Sequence, residues 1–216
     1  MPDVKAVWTD FGGVLTPPIA VTLQTFCQKW EVDRNALMAA VWAVTQRYDT
    51  TDVMLPLDTP LVSEQEWLGQ VKAELLANGI SLAVDSFADA WFGGREANAA
   101  WLARLRRARA DGLFVGMLSN MVPSWDAHWR AMVPPDELFD DVLLSYQVGF
   151  RKPAKEIFDL AVLRSGVPAA QSVFVDDLEA NCAGARAQGW RAIQFTDTDQ
   201  AIARLDELLG TTGGAT

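Results

Sequence analysis

From residue 94 onward the chain alternates short apolar runs with amphipathic helical stretches, and this alternation constrains the fold more than any other feature. Residues 113–118, 142–144, 172–175 and 191–195 read as strands. Residues 96–110, 123–132, 153–165, 178–188 and 199–209 carry helical spacing. Trp101, Leu105 and Ala108 line one side of the first of these helices, and Ile202, Leu205 and Leu209 the inner side of the last. Pro153 falls where a first helical turn tolerates proline. A further strand, 4–9, opens the chain and runs into the turn Asp10-Phe11-Gly12-Gly13. Strands alternating with helices predict an α/β fold, a Rossmann-like parallel sheet with helices on both faces.

The segment between the first strand and residue 94 has a different character. Pro17-Pro18 breaks the path, and 19–93 reads as helix after helix. Leu37, Val41 and Val44 recur at helical spacing, as do Trp67, Val71 and Leu75, with Ser63 and Glu66 forming a capping box before the latter set. Residues 49–60, with two prolines, read as a loop. The expected organisation is a core of 1–16 and 94–216 interrupted by an α-helical insertion at 17–93. The composition of 211–216 predicts a disordered tail.

With 50% hydrophobic and 21% charged residues the chain has a globular balance. A net charge of −10 argues against sequence-independent binding to nucleic acid or to an anionic membrane surface. The longest obvious apolar run, 36–44, is too short to span a bilayer, and the N-terminus lacks the apolar core of a signal peptide. Cys27 and Cys182 lie far apart without metal-ligand spacing, so a reduced cytoplasmic setting is expected.

In a parallel sheet, ligands gather at the carboxyl ends of the strands. Here those ends carry Asp10, then Ser119-Asn120, then Arg151-Lys152, then Asp176-Asp177. Taken in that order they match phosphoryl transfer through an aspartyl-phosphate. A carboxylate nucleophile divides one difficult displacement into two easier ones, provided its charge and that of the phosphate are neutralised. Asp10, Asp177 and a backbone carbonyl would give Mg²⁺ its hard oxygen ligands. Lys152 would pair with nucleophile and phosphate, while Ser119 and nearby backbone N–H groups would hold the phosphoryl oxygens.

These residues resemble the motifs of the haloacid dehalogenase superfamily over nearly the whole chain. Asp10-Phe-Gly-Gly-Val-Leu-Thr16 is similar to its first motif, Leu118-Ser119-Asn120 to its second, Lys152-Pro153 to its third and Val173-Phe-Val-Asp176-Asp177 to its fourth, with Asn181 a turn later. Ser145, Gly149, Arg151, Ile157 and Phe158 fit the surroundings of the third motif. The resemblance implies a catalytic set of Asp10, Lys152 and Ser119, with Ser119, Asn120 and Lys152 on the substrate. It implies Mg²⁺ on Asp10, the Gly12 carbonyl and Asp177, supported by Asp176 and Asn181. It also implies that 17–93 is a helical cap, as in phosphatases similar to the N-terminal domain of soluble epoxide hydrolase, and that the substrate is a small phosphorylated metabolite. Monomer and homodimer both stay open.

One position departs from the pattern. Most phosphatases of the family carry a second Asp two residues after the nucleophile, as proton donor and then as base; this chain has Gly12. Good leaving groups are therefore expected to be cleaved better than alkyl phosphates. Two other readings follow: carbon–halogen hydrolysis at Asp10 without a metal, which the Asp176-Asp177 pair opposes, and a non-catalytic phospho-ligand or protein binder. His128, the single histidine, reads as a helix-surface residue rather than the missing acid/base. Trp42, Arg47 and Tyr48 are candidate substrate contacts in the cap.

Overall fold

The computed structural model describes residues 3–210, so the expected tail at 211–216 lies outside the described residues. The chain divides into two compact units, one of 1–17, 96–120 and 133–216, the other of 18–95 and 121–132.

The first unit is built on five strands: β1 (Ala6–Thr9), β2 (Phe114–Ser119), β3 (Asp141–Leu144), β4 (Ser172–Asp176) and β5 (Arg191–Gln194). All neighbours pair in parallel, in the order β3-β2-β1-β4-β5. The chain therefore fills one side of β1 and then returns to the other, which puts the switch point at the carboxyl ends of β1 and β4. Side-chain alternation along β1 divides the core between the two faces. Ala6 and Trp8 join Phe174 against Ile157, Phe158, Ala185 and Trp190 of the helices Lys155–Ser165 and Glu179–Ala187 and the turn after them. Thr9 faces the other way and accepts a 3.0 Å hydrogen bond from the indole of Trp101, on the helix Ala99–Ala110.

Several boundaries differ from the sequence expectation. The helix expected from Pro153 begins at Lys155, with Ala154 as its N-cap. Pro153 stands outside it, joined to Lys152 by a cis peptide bond. The closing helix, Thr198–Leu209, buries Ala201 and Leu205 fully, whereas Ile202 and Leu209 are only half-buried at the margins of its inner face. Short helices at Pro135–Leu138 and Ser145–Val148 lacked enough turns to show a period.

The second unit contains the helices Ile19–Lys29, Arg34–Gln46, Glu64–Ala77 and Phe87–Phe92. The Ser63–Glu66 capping box is formed, and Leu37, Val41 and Val44 are buried, as are Trp67, Val71 and Leu75. The expected loop at 49–60 holds a short helix, Leu55–Asp58, with Pro56 in its first turn. Residues 121–132 join this unit, a grouping absent from the sequence reading. Glu64 explains it: its carboxylate accepts hydrogen bonds from Ser124 Oγ (2.6 Å), Trp125 Nε1 (2.8 Å) and Ala88 N (3.0 Å). The rings of Phe87, Trp91 and Trp125 pack on one another in the same unit. Among the described residues no helix is long and apolar enough to cross a membrane.

Candidate active site

Strand register brings the polar ends together. Thr9 pairs with Met117 on one side and Val175 on the other, and Asp10 N continues the ladder with a 2.8 Å bond to Val175 O. Asp10 therefore leaves β1 between the ends of β2 and β4, beside Ser119 and Asp176. The Thr9 hydroxyl, already bonded to Trp101, donates to Asp10 O at 3.0 Å and fixes the strand end.

Lys152 is the centre of the charge arrangement. Its Nζ lies 2.7 Å from Asp10 Oδ1 and 2.6 Å from Asp176 Oδ2, over the face of the Phe174 ring at 5.2 Å. Lys152 is 2% exposed, and a cation that deep is stable only when paired. Burial alone would lower its pKa, but the Asp10 and Asp176 carboxylates outweigh this and push it above the ordinary lysine value. Asp176 is held by three further donors: Leu178 N to Oδ1 (2.9 Å) and Asn181 Nδ2 to both oxygens (3.0 and 3.1 Å). Asp176 thus bonds the backbone of Leu178, the N-cap of the following helix, which makes no side-chain capping bond of its own.

Asn120, placed on the substrate by the resemblance, meets the lysine instead. Its Oδ1 accepts from Lys152 N (2.8 Å) and its Nδ2 donates to Lys152 O (3.0 Å), clamping the backbone that carries the ammonium. Gly184 completes the clamp, because a Cβ there would stand 2.7 Å from Pro153 Cβ. Ser119 directs its side chain at Asp10 and lowers the carboxyl slightly against the stronger effect of burial.

Asp10, Asp176 and Asp177 offer carboxylate oxygens that all lie within 4.8 Å of one another. Three acids thus face one ammonium. Burial raises Asp10 to about 6, with Lys152 pulling down and Asp176 pushing up. Burial, then the charges of Asp10 and Asp176, raise Asp177 to about 7. A site so short of positive charge, lined by hard oxygens, has the donor chemistry of a Mg²⁺ site. Since Asp176 is saturated by Lys152, Asn181 and Leu178, Asp10 and Asp177 are the oxygens with capacity to spare.

The loop between β1 and residue 17 is shaped for this. Gly13 has φ +76°, and a Cβ there would fall 2.3 Å from Asp177 Oδ2. Gly13→Ala is therefore expected to displace Asp177 and to cost about 1–2 kcal/mol for the left-handed backbone. Thermal melts with and without Mg²⁺ should show a lower Tm and a diminished Mg²⁺ response. An unchanged response would mean that Asp177 does not hold the metal. Gly12 is different, because an added Cβ would meet nothing within 4 Å.

The sequence candidates in the second unit are otherwise engaged. His128 Nε2 lies 3.3 Å from Asp89 Oδ1, and its ring stacks on Phe92. Arg47 pairs with Glu74 and Gln70, and Tyr48 Oη accepts from Gln70 Nε2 at 2.8 Å, so both tie one helix to the next. Trp42 is an exposed ring.

Residues 4–189 match the model of the haloacid dehalogenase-like hydrolases. The chain belongs to this family. Among curated proteins, a D-ribitol-5-phosphate phosphatase of Bacteroides thetaiotaomicron is 27% identical over 88% of this chain and 91% of its own length. A sesquiterpene phosphatase of Aspergillus oryzae is 33% identical over 49% of this chain, and the match spans about half, 54%, of that relative. Among solved structures, a haloacid dehalogenase family enzyme of Bacteroides thetaiotaomicron in complex with magnesium and inorganic phosphate superposes with a TM-score of 0.62 at 21% identity, covering 88% of this chain and 93% of that one. An L-2-haloacid dehalogenase has a TM-score of 0.65 at 24% identity, covering 88% and 86%. At these identities the structural likeness speaks for the fold.

Proposed function

We propose that this family hydrolase is a Mg²⁺-dependent phosphomonoester phosphatase acting through an aspartyl-phosphate on Asp10. The observation that carries the reading is the single buried ammonium bridging Asp10 and Asp176, with Asp177 completing a trio of acids. A phosphate relative aligned over most of the chain supports it.

In this reading an Asp10 oxygen attacks phosphorus, and water later releases phosphate from the acyl phosphate. Lys152 keeps Asp10 ionised and aimed, and its ammonium lies beside the position of the incoming phosphoryl oxygens. Ser119 and the backbone N–H groups of the 10–13 turn hold those oxygens. Asp176, Asn181 and Asn120 position Lys152. Asp10, the Gly12 carbonyl and Asp177 would hold Mg²⁺, which would supply charge neutralisation for nucleophile and phosphate. The helical insertion at 17–93 takes the part of a cap that selects a small phosphorylated metabolite. The two free thiols, Cys27 and Cys182, accord with a cytoplasmic setting.

The dehalogenase reading has a structural neighbour in its favour. Three carboxylates around one ammonium oppose it, since they would repel an anionic haloacid.

Metal removal gives the first test. Chelation is expected to abolish hydrolysis of an aryl phosphate, and Mg²⁺ to restore it; chelator-insensitive turnover with halide release from a haloacid would reverse the assignment. Stability supplies a second readout. Asp10 and Asp177 have raised pKa values, so the metal-free folded state holds protons that the unfolded chain releases near 3.8. Their contribution is present at low pH and is lost as pH rises through about 6 and about 7. The Mg²⁺-induced rise in Tm should therefore grow between pH 5 and 8, on the order of the interval set by these values. A pH-independent shift would place the cation elsewhere.

A further inference from the structure

By the resemblance of the 10–16 segment to the family's first motif, position 12 is that of the residue that gives and then takes the proton used in the two halves of ester cleavage, and here it is glycine. Expelling an alcohol leaves an alkoxide unless a proton arrives with it, and attack by water is faster when a base removes one. Gly12 can do neither, and a Cβ added there would meet nothing within 4 Å among the described residues. The polar side chains at the strand ends and in the 10–17 loop of the first unit are already committed. Asp176 accepts from Lys152, Leu178 and Asn181. Thr16 Oγ1 accepts from Gly13 N (3.2 Å) and lies 3.4 Å from Phe11 O, its acceptor. Ser119 is turned to Asp10. Asp10 and Asp177 serve the phosphorus and the cation.

Resting on the phosphoryl-transfer reading above, we infer that the substrates are phosphates whose leaving group departs as a stable anion, namely acyl, enol and aryl phosphates, in preference to phosphate esters of simple alcohols. In the first step the Asp10 oxygen bonds to phosphorus and the phosphorus–oxygen bond to the leaving group breaks, its electron pair departing with a carboxylate, enolate or phenolate that takes no proton from the protein. In the second, a water oxygen bonds to phosphorus as the bond to Asp10 breaks. The water's proton passes to a phosphoryl oxygen, and inorganic phosphate leaves with the Asp10 carboxylate restored. The second step, without a base, is the slower one for such substrates, so phosphorylated Asp10 accumulates during turnover.

The test uses the Mg²⁺-loaded protein with acetyl phosphate, aryl phosphates of graded phenol acidity, and glycerol phosphate. The expected kcat/KM falls steeply as the phenol becomes less acidic, with aryl and acetyl phosphates at least about 10²-fold ahead of glycerol phosphate. A burst of phenol equal to the enzyme concentration should precede steady turnover. Gly12→Asp, which has room for its Cβ, should raise glycerol phosphate hydrolysis by about 10²-fold or more, flatten the dependence on phenol acidity and abolish the burst. Equal kcat/KM for aryl and alkyl esters in the parent protein overturns the inference while leaving the phosphatase assignment intact, whether or not Gly12→Asp folds. Absence of Mg²⁺-dependent turnover on every substrate, with Asp10→Asn indistinguishable from the parent, overturns the assignment itself.

Discussion

Asp10→Asn is expected to abolish phosphate release, by about 10⁴-fold or more against the best aryl phosphate. An amide of the same shape keeps the bonds that Asp10 makes through its backbone, to Val175 O and from the Thr9 hydroxyl. It cannot supply the anionic oxygen that attacks phosphorus. The loss should not come from unfolding. In the metal-free protein Asp10 is pushed up to about 6, first by burial, so its charge is a burden on the folded state at pH 7.5. The variant should therefore melt at the same temperature as the parent or above it in chelator, while its response to Mg²⁺ shrinks. Activity and stability moving in opposite directions separate a nucleophile from a structural acid. Retention of parental activity would remove Asp10 from the chemistry.

Replacing Lys152 is expected to damage stability and activity together. Lys152→Met keeps much of the volume but leaves Asp10 and Asp176 facing one another in a buried site where both previously met an ammonium, at 2.7 and 2.6 Å. Breaking one member out of a buried ionic group costs about 3–5 kcal/mol. For a chain of this size that would lower the Tm by roughly 10 °C, at about 2–4 °C per kcal/mol. Aryl phosphatase activity should fall below detection, because Asp10 loses the ammonium that lies 2.7 Å from its carboxylate. The double variant Lys152→Met with Asp176→Asn removes one orphaned charge and should recover part of the stability without recovering activity. Equal melting of parent and Lys152→Met would show that the two carboxylates are neutralised by another route.

The fold was readable because its signals are local. Five apolar runs alternating with helical periods specify a parallel sheet, and the polar residues after four of those runs are visible before any pairing is known. The candidate residues were readable to the same depth: Asp10 follows β1, Ser119 ends β2, Asp176 ends β4 with Asp177 next to it, and Lys152 lies in the connection after β3. What escaped depends on contacts between distant segments. Nothing in 32 residues of separation marks Asn120 as the clamp of Lys152, nor does spacing show Gly184 lying against Pro153. Glu64 looks like an ordinary first-turn acid of its helix, yet it draws Ser124 and Trp125 into the second unit. Pro153 stands outside the helix although a helix's first position is a common place for proline, and the two-residue set-back to a start at Lys155 leaves no trace in the pattern. The inner face of the last helix centres on Ala201 and Leu205, both fully buried, and a small alanine does not mark such a face in a hydrophobic pattern as Ile202 and Leu209 do.

The central claim, that Asp10 carries the phosphoryl group between the two halves of the reaction, can be read directly. The Mg²⁺-loaded protein is mixed with an activated aryl phosphate, quenched in acid during the first turnover and digested for mass spectrometry. One phosphoryl group is expected on the peptide containing Asp10, present in the parent and absent in Asp10→Asn. Turnover that proceeds at the full rate with Asp10 unmodified at every quench time, or with the phosphoryl group on another residue, would contradict it.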